Sequence, residues 1–571
     1  MGSFFLDLRH ALRQLGKSPG FTLTALLNLA FAIGATTVIF SIVEGVLLRP
    51  LPFANPNRLV FLGDILEGVD HSESGAPGVT PRGAEIYMRD THAFSSIGAY
   101  SNHNTYELSN LTYPAQINAA RLTADVFRTL GVLPLMGRAF SKQEERDDAP
   151  VAVLSYQTWQ ARFNGDRQIL ERKILLDRRP YQVIGVMPRD FEFPLVPGHL
   201  NRSELWLPLH FTQAELVQGA GNWGYNLVGR LKPDFSPLQA EQDAMPAAQE
   251  IMRSFPPALS SRRLRPAVRR LDEITVADAR ALINTLFLAV IVVLFIAAAN
   301  LAGLLLVRFL GRRREISVRM AVGASRMAVV RQPVLEALLI SLSGGLAGLA
   351  LAAVALPIGV NFLPETLPRI NSIVLDPGVV ALAFVVALLT GLFCGIIPGV
   401  AMARTEISDA LKDGGRSSTT GISHARLRLA LVIVELAVAL VLLAASGLLL
   451  RSFQKMRSGG LGFAEDHTLT ASYSLPRQQY FAQATVDAFN LALRTRLTQI
   501  AGVQAVGMTS LLPASGTTYL ATFTPEGYIP PKRVRLNIAW VPEVSGSYLS
   551  LIHIWRCRRI ERCRSRWSPY H

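Results

Sequence analysis

Charged side chains are scarce in this chain of 571 residues: they make up 17%, where soluble domains carry about a quarter. Cysteine is nearly absent, with three in all. One, Cys394, lies in an apolar run, and Cys557 and Cys563 lie in an atypical tail. No even set of cysteines occupies the large polar regions, so any extracytoplasmic domain stands without disulfides. Glycine, at 43 residues, is far too sparse for a collagen-like repeat. Half of the residues are hydrophobic, which excludes intrinsic disorder. Acidic residues are outnumbered 42 to 57 by Lys and Arg, a net charge of +15. The basic residues sit beside long apolar runs and are not interleaved with aromatics, so they point to a membrane surface and not to nucleic acid.

Those apolar runs set the architecture. Five of them, at 21–48, 281–307, 334–360, 379–403 and 427–450, are long enough to cross a bilayer, which takes roughly 20 mostly apolar residues. The first is expected to be an uncleaved anchor. Its apolar region exceeds the roughly 7–15 residues of a signal peptide, and Ala30-Phe31-Ala32, which imitates a cleavage site, falls inside it.

Orientation follows from Lys and Arg in the short loops. Segment 308–333 holds Arg308, Arg312, Arg313, Arg314, Arg319, Arg326 and Arg331 against Glu315 alone. Segment 404–426 holds Arg404, Lys412, Arg416 and Arg426, whereas 361–378 has only Arg369 as a basic residue. Alternation then predicts an inner N-terminus and places 49–280 and everything after 450 outside. Arg451, Lys455 and Arg457 depart mildly from the rule. In residues 1–20, Phe4, Phe5, Leu8, Leu12 and Leu15 fall on one helical face, away from Arg9, Arg13 and Lys17. That pattern suits a cytoplasmic amphipathic helix, lying on the leaflet or packed on the protein.

Segment 49–280 is too long for a connecting loop. Val151-Ala-Val-Leu154 predicts a buried strand, and 156–163 a helix. Lys173–Leu176 and 181–186 read as strands joined by the turn Asp177-Arg-Arg-Pro180. Residues 239–255 read as a helix leading back to the membrane. The segment is therefore an α+β domain with its own core. Leu51, Phe53, Ala54 and Leu59 recur in register as Leu461, Phe463, Ala464 and Leu469, directly after the first and fifth spans. We read a duplicated unit whose second copy, 451–548, is incomplete. Residues 549–571 hold six Arg, two Trp and two Cys without periodicity, and read as an out-of-frame end.

The opening Leu6-Asp-Leu-Arg9-His-Ala-Leu-Arg13, then Ala32-Ile-Gly-Ala-Thr-Thr-Val-Ile-Phe40 and Leu48-Arg-Pro-Leu-Pro52-Phe, carry a family signature. So do Phe127-Arg-Thr-Leu130-Gly131, Gly137-Arg138-Ala-Phe140, Val183-Ile-Gly185-Val186-Met187-Pro188, and Arg314-Glu315-Ile316-Ser317-Val318-Arg319-Met320-Ala321. In these motifs the chain, over residues 1 to about 545, resembles the MacB/FtsX-like permeases of ABC systems, and among them the duplicated orphan (acidobacterial-type) group. It departs from that group in having no further spans after the fifth. The resemblance implies a polytopic helical membrane protein of the bacterial inner membrane with a large extracytoplasmic core domain. It also implies a separate ABC ATPase as partner, and admits a homodimer and an outer-membrane or periplasmic partner alongside membrane lipid.

The chemistry motifs agree with a chain that catalyses nothing. A phosphate-binding loop needs Gly-x4-Gly-Lys-Ser/Thr. Gly16-Lys17-Ser18 supplies its end, but Ala11 stands where the first glycine belongs. No metal-ligand spacing, nucleophile elbow or paired cysteine motif occurs, so no cofactor, metal or catalytic residue is expected. In 308–333, Glu315 and Arg319 stand four apart, and Ile316 and Met320 share a neighbouring helical face. An apolar ridge with basic flanks can fill a partner's groove. The resemblance makes this the ATPase coupling element, with Arg314, and makes Glu406, Ile407 and Leu411 the second one. Gly344 and Gly348 are four apart, as are Gly391, Gly395 and Gly399, a spacing that lets helices approach closely. Glu44 and Glu336 lie near span ends, within reach of water, and Glu435 lies about two turns inside its span, placed to bond a neighbouring helix. The expected function is a permease subunit that passes ATPase-driven motion outward, for lipid-linked, peptide or amphiphilic cargo. The alternative is an FtsX-like mechanical transmitter that regulates an envelope enzyme without transport.

Overall fold

The computed structural model describes residues 2–67, 78–109, 115–194, 203–218, 222–255, 262–310, 326–361, 373–403, 420–458, 468–475, 479–480, 482–512, 520–522, 538–545 and 548. Two long helices come first, α1 (Gly2–Gly16) and α2 (Pro19–Val43), the latter ending in a π-helical turn, Glu44–Leu48. A mixed region follows: β1 (Leu59–Leu66), α3 (Pro81–Asp90), β2 (Phe94–Leu108), β3 (Ala115–Leu122), α4 (Asp125–Leu130), β4 (Met136–Gly137), α5 (Lys142–Arg146), β5 (Val151–Leu154) and α6 (Tyr156–Phe163). It continues with β6 (Lys173–Leu176), β7 (Arg179–Val186), β8 (Leu205–Pro208), α7 (Gln213–Gln218), β9 (Asn226–Leu231), α8 (Pro237–Asp243), α9 (Met245–Arg253) and β10 (Leu264–Arg270). Long helices then return: α10 (Leu271–Leu310), α11 (Arg326–Val360), α12 (Pro377–Ala403) and α13 (Thr420–Ser458). After them come α14 (Gln483–Thr498) and the antiparallel pair β11 (Leu520–Thr522) and β12 (Ile538–Trp540).

The mixed region is built on one ten-stranded sheet in the order β10-β1-β9-β2-β3-β8-β5-β7-β4, with β6 pairing β2 and β7. All four residues of β5 are buried, as a strand covered on both faces requires. It runs parallel to β7, and Ser155 then caps α6 by accepting from Thr158 N. Between β6 and β7, Asp177 and Arg178 both take positive φ, 48° and 65°, the backbone of a tight hairpin turn. An aromatic cluster of Phe53, Phe127, Phe191, Phe193 and Trp206 fills one core, and Trp206 Nε1 donates to Phe193 O at 2.6 Å. A second core gathers Tyr87, Ile251 and Phe255 beneath α3 and α9, and a third Trp159, Ile169 and Leu205.

The stretch 239–255 differs from its expectation. It is two helices, α8 and α9, meeting at Ala244 with Pro246 in the first turn of the second, because proline cannot continue the α8 hydrogen-bond ladder. Nor does it lead straight to a span: β10 intervenes and pairs along the length of β1.

Among the described residues, five helical stretches are long and apolar enough to cross a membrane: Pro19–Leu48, Arg280–Phe309, Val329–Val360, Pro377–Val400 and Val432–Lys455. Leu29, Ile33, Leu301, Leu305, Ile340 and Ala387 form the core shared by α2, α10, α11 and α12. Thr36, Thr37 and Ser41 are buried in α2 and donate their hydroxyl protons to the carbonyls of Ala32, Ile33 and Thr37 one turn back, so these three hydroxyls are satisfied within the helix. The fifth stretch has none of its apolar window buried.

Candidate functional site: the helix contacts of the membrane bundle

A glycine exposes backbone where every other residue presents a Cβ, so its value in a bundle is read from what that Cβ would meet. At Gly348 it would lie 2.9 Å from both Ala30 O and Gly34 N, and at Gly344 2.9 Å from Leu29 Cβ. Gly34 returns the contact, 3.0 Å from Gly348 O. These three glycines bring the backbones of α2 and α11 together. On α12, Gly391 faces Ser341 Oγ and Leu338 Cα, Gly395 would set a Cβ 2.5 Å from Val334 Cα, and Gly399 one 3.1 Å from Val330 Cγ1. One stripe thus seats α11 on α2, and the other seats α12 on α11. Gly34 was not singled out in the sequence. Its signal is Ala30-x3-Gly34, a small residue one turn earlier on the same face.

Polar side chains add specific ties. Asn28 Nδ2 donates to Ala297 O at 3.1 Å, and Cys394 Sγ to Ala298 O at 3.2 Å, so α2 and α12 grip adjacent carbonyls of α10. Glu336 differs from its expectation. It is 0% exposed and does not reach water, and Arg308 Nε stands 3.9 Å from its Oε2. The candidate span begins at Val329, which puts Glu336 about two turns inside it, and the side chain faces Arg308 of α10. Glu435 is half-buried on α13 and makes no hydrogen bond to a neighbouring helix among the described residues. On α1, Leu15 of the face read from sequence is buried, beside Ala11, while Leu12 is exposed.

The coupling residues Arg314, Glu315, Ile316, Arg319 and Met320 lie outside the described residues, as do Glu406, Ile407 and Leu411. The structure places the helix ends that bracket the first group, Leu310 of α10 and Arg326 of α11, and the α12 end, Ala403, that precedes the second. No group of three or more metal-ligating side chains occurs among the described residues.

One acid of the α/β domain lies in its core. Asp64 on β1 is fully buried, and its Oδ1 accepts from the Tyr87 hydroxyl at 2.6 Å. Its Oδ2 has no hydrogen-bond partner among the described residues. Burial pushes the carboxyl up to about 7, against the smaller opposing pull of the tyrosine.

Residues 22–247 match the MacB-like periplasmic core domain and residues 287–407 the FtsX-like permease C-terminal domain. The macrolide export ATP-binding/permease protein MacB of Salmonella paratyphi A is 28% identical over 298 residues, 52% of this chain and 43% of that protein. The protein of the same name from Escherichia coli K12 is 27% identical over 317 residues, 56% of this chain and 46% of that one. The chain therefore spans less than half the length of these curated relatives. Among solved structures, the periplasmic region of MacB from Actinobacillus actinomycetemcomitans aligns at 13% identity with a TM-score of 0.29, covering 42% of this chain and 97% of that one. The extracellular domain of the noncanonic ABC-type transporter YknZ from Gram-positive bacteria aligns at 13% identity with a TM-score of 0.26, covering 37% of this chain and 99% of that one.

Proposed function

The chain is a MacB/FtsX-like ABC permease, and we propose that it passes motion driven by a separate ATPase across the inner membrane to its α/β domain. The observation that carries this reading is the pairing, in one chain, of a periplasmic-core match with an FtsX-like permease match. The N-terminus lies inside, and residues 49–280 lie outside. Arg314, Glu315, Ile316, Arg319 and Met320 dock the ATPase, and Glu406, Ile407 and Leu411 form the second docking element. No residue of the chain is catalytic. The cargo is a lipid-linked protein, a peptide or a small amphiphile handled on the outer side. Residues 451–548 belong to a second copy of the outer domain. The FtsX-like match over 287–407 also favours a second reading, in which the same motion regulates an envelope enzyme and nothing is transported.

The test is co-purification with a matched ABC ATPase. A buried apolar anchor contributes about 1.5–3 kcal/mol, so Ile316→Asp should weaken docking more than tenfold. Arg312→Ala, on the charged flank of the segment, should matter less, since exposed ion pairs contribute roughly 0–1 kcal/mol. Retention of the ATPase by the Ile316→Asp chain at the parent level, with equal membrane insertion, would remove this segment as the docking element.

A further inference from the structure

The last turn of α1 is capped in part from another helix. Backbone N–H groups of Lys17 and Ser18 return to Arg13 O and Leu15 O, at 3.2 and 3.3 Å. The carbonyl between them, Gln14 O, accepts from side chains: Ser18 Oγ at 3.4 Å and, at 2.7 Å, Arg308 Nη2 from the end of α10. A guanidinium on a C-terminal carbonyl is a favourable cap, because the helix dipole places negative charge there. The same guanidinium lies 4.6 Å over the Phe21 ring in the first turn of α2. Its Nε stands 3.9 Å from Glu336 Oε2 on α11, and Gln332 Nε2 approaches the other oxygen of Glu336 at 3.4 Å. The Arg308 side chain is 11% exposed and that of Glu336 0%. One buried side chain on α10 therefore touches three other helices.

We propose that Arg308 is a positioning residue that fastens the amphipathic helix α1 to the membrane bundle, and that its hold depends on Glu336 remaining opposite it. A buried guanidinium is tolerated only with a counter-charge. If α10 and α11 shift against each other at these ends, the approach of Glu336 to Arg308 is lost and the guanidinium is drawn away from Gln14 O. The attachment of α1 thus reports the relation of the two helices whose ends bracket residues 311–325. This inference does not rest on ATPase docking, and its test contains no ATPase.

The experiment is hydrogen exchange of the full chain in lipid nanodiscs, read on the peptide covering α1, beside the unfolding temperature. Arg308→Glu should accelerate α1 exchange at least tenfold and lower the unfolding temperature, since two carboxylates then face each other. Combining it with Glu336→Arg restores opposite charges between α10 and α11 and should recover at least half of the lost unfolding temperature. Exchange of α1 should nevertheless stay at least tenfold fast, because a carboxylate at 308 has no proton to donate to Gln14 O. A merely structural role predicts that both readouts recover together, and that result would overturn the proposal. Glu336→Gln, a milder change that keeps Arg308, should raise α1 exchange about threefold. Parent-level exchange there would refute the dependence on Glu336, whether or not the charge-swapped chain folds.

Discussion

The α/β domain and the membrane bundle fill their interiors in opposite ways. The domain uses bulk: Trp206, Phe61, Tyr87 and Phe193 are among its fully buried side chains. The bundle uses the absence of side chains, at Gly34, Gly344 and Gly348 between α2 and α11 and at Gly391, Gly395 and Gly399 between α11 and α12. Water explains the difference. A soluble core gains about 25 cal/mol for each Å² of apolar surface removed from water, so large residues are the effective filling. In hydrocarbon that gain is missing, and helices are held by close backbone approach and interhelical hydrogen bonds. The two regions also treat a buried carboxylate differently. Glu336 in the bundle faces a guanidinium, whereas Asp64 in the domain has one tyrosine hydroxyl.

That last contrast gives the largest expected effect. The folded-state pKa of Asp64 is raised to about 7 from an ordinary 3.8, so the folded chain holds this proton more tightly than the unfolded chain does. Stability from this group is fully present below about pH 4 and is lost as pH rises through about 7, by roughly 4 kcal/mol in total at about 1.4 kcal/mol per pH unit. Asp64→Asn removes the titration. We expect denaturant unfolding of the parent domain to lose more stability between pH 4 and pH 7 than the Asp64→Asn variant loses. Equal slopes in the two proteins would mean that the Asp64 carboxylate is compensated in a way the domain core does not suggest.

How much of this was readable beforehand differs between the same two regions. Strand β5, helix α6 and the β6–β7 hairpin are legible because each is local: an apolar run, a serine cap, a turn of residues that accept positive φ. The long apolar runs are legible because bilayer thickness fixes their length. What escaped depends on distance in sequence. Strand β10 is a short run with five arginines in or beside it, Arg262, Arg263, Arg265, Arg269 and Arg270, and only its pairing with β1, some two hundred residues away, makes it a strand. The burial of Glu336 escaped for the same reason, since its partner Arg308 stands on another helix and was counted only as a topology signal. Spacing alone marked the glycines on α11 and α12, but not which helix each stripe would meet.

The second expected effect tests the bundle's way of packing. At Gly395 an added Cβ would lie 2.5 Å from Val334 Cα, a backbone atom that cannot rotate aside, and 3.1 Å from Ala337 Cβ. Overpacking of this kind costs about 1–3 kcal/mol. Gly395→Ala should therefore lower the unfolding temperature in nanodiscs clearly, while Gly399→Ala, whose nearest contacts begin at 3.1 Å with a Val330 side-chain carbon, should lower it less. If the two variants melt alike, close approach is not what holds α12 to α11.

The smallest expected effect is the sharpest test of the contrast. Gly447 lies within α13, where an added Cβ meets nothing within 4 Å, and the apolar window of that helix has no buried residues. Exchanging glycine for alanine in an open helical position removes a conformational-entropy cost of roughly 1 kcal/mol in water. In a bilayer, where an unfolded span is already helical, less of that cost is there to recover. Gly447→Ala should thus leave the unfolding temperature unchanged or slightly raised, the opposite sign to Gly395→Ala on a neighbouring span. Both substitutions add the same methyl group to a glycine in an apolar helix, so composition and hydropathy cannot separate them; only the neighbouring atoms can. A fall after Gly447→Ala comparable to that after Gly395→Ala would show that α13 is closely covered in the membrane, by another span or a second copy of the chain. The same measurement on dilute and concentrated nanodisc preparations would then tell a self-contact from a cover supplied within one chain.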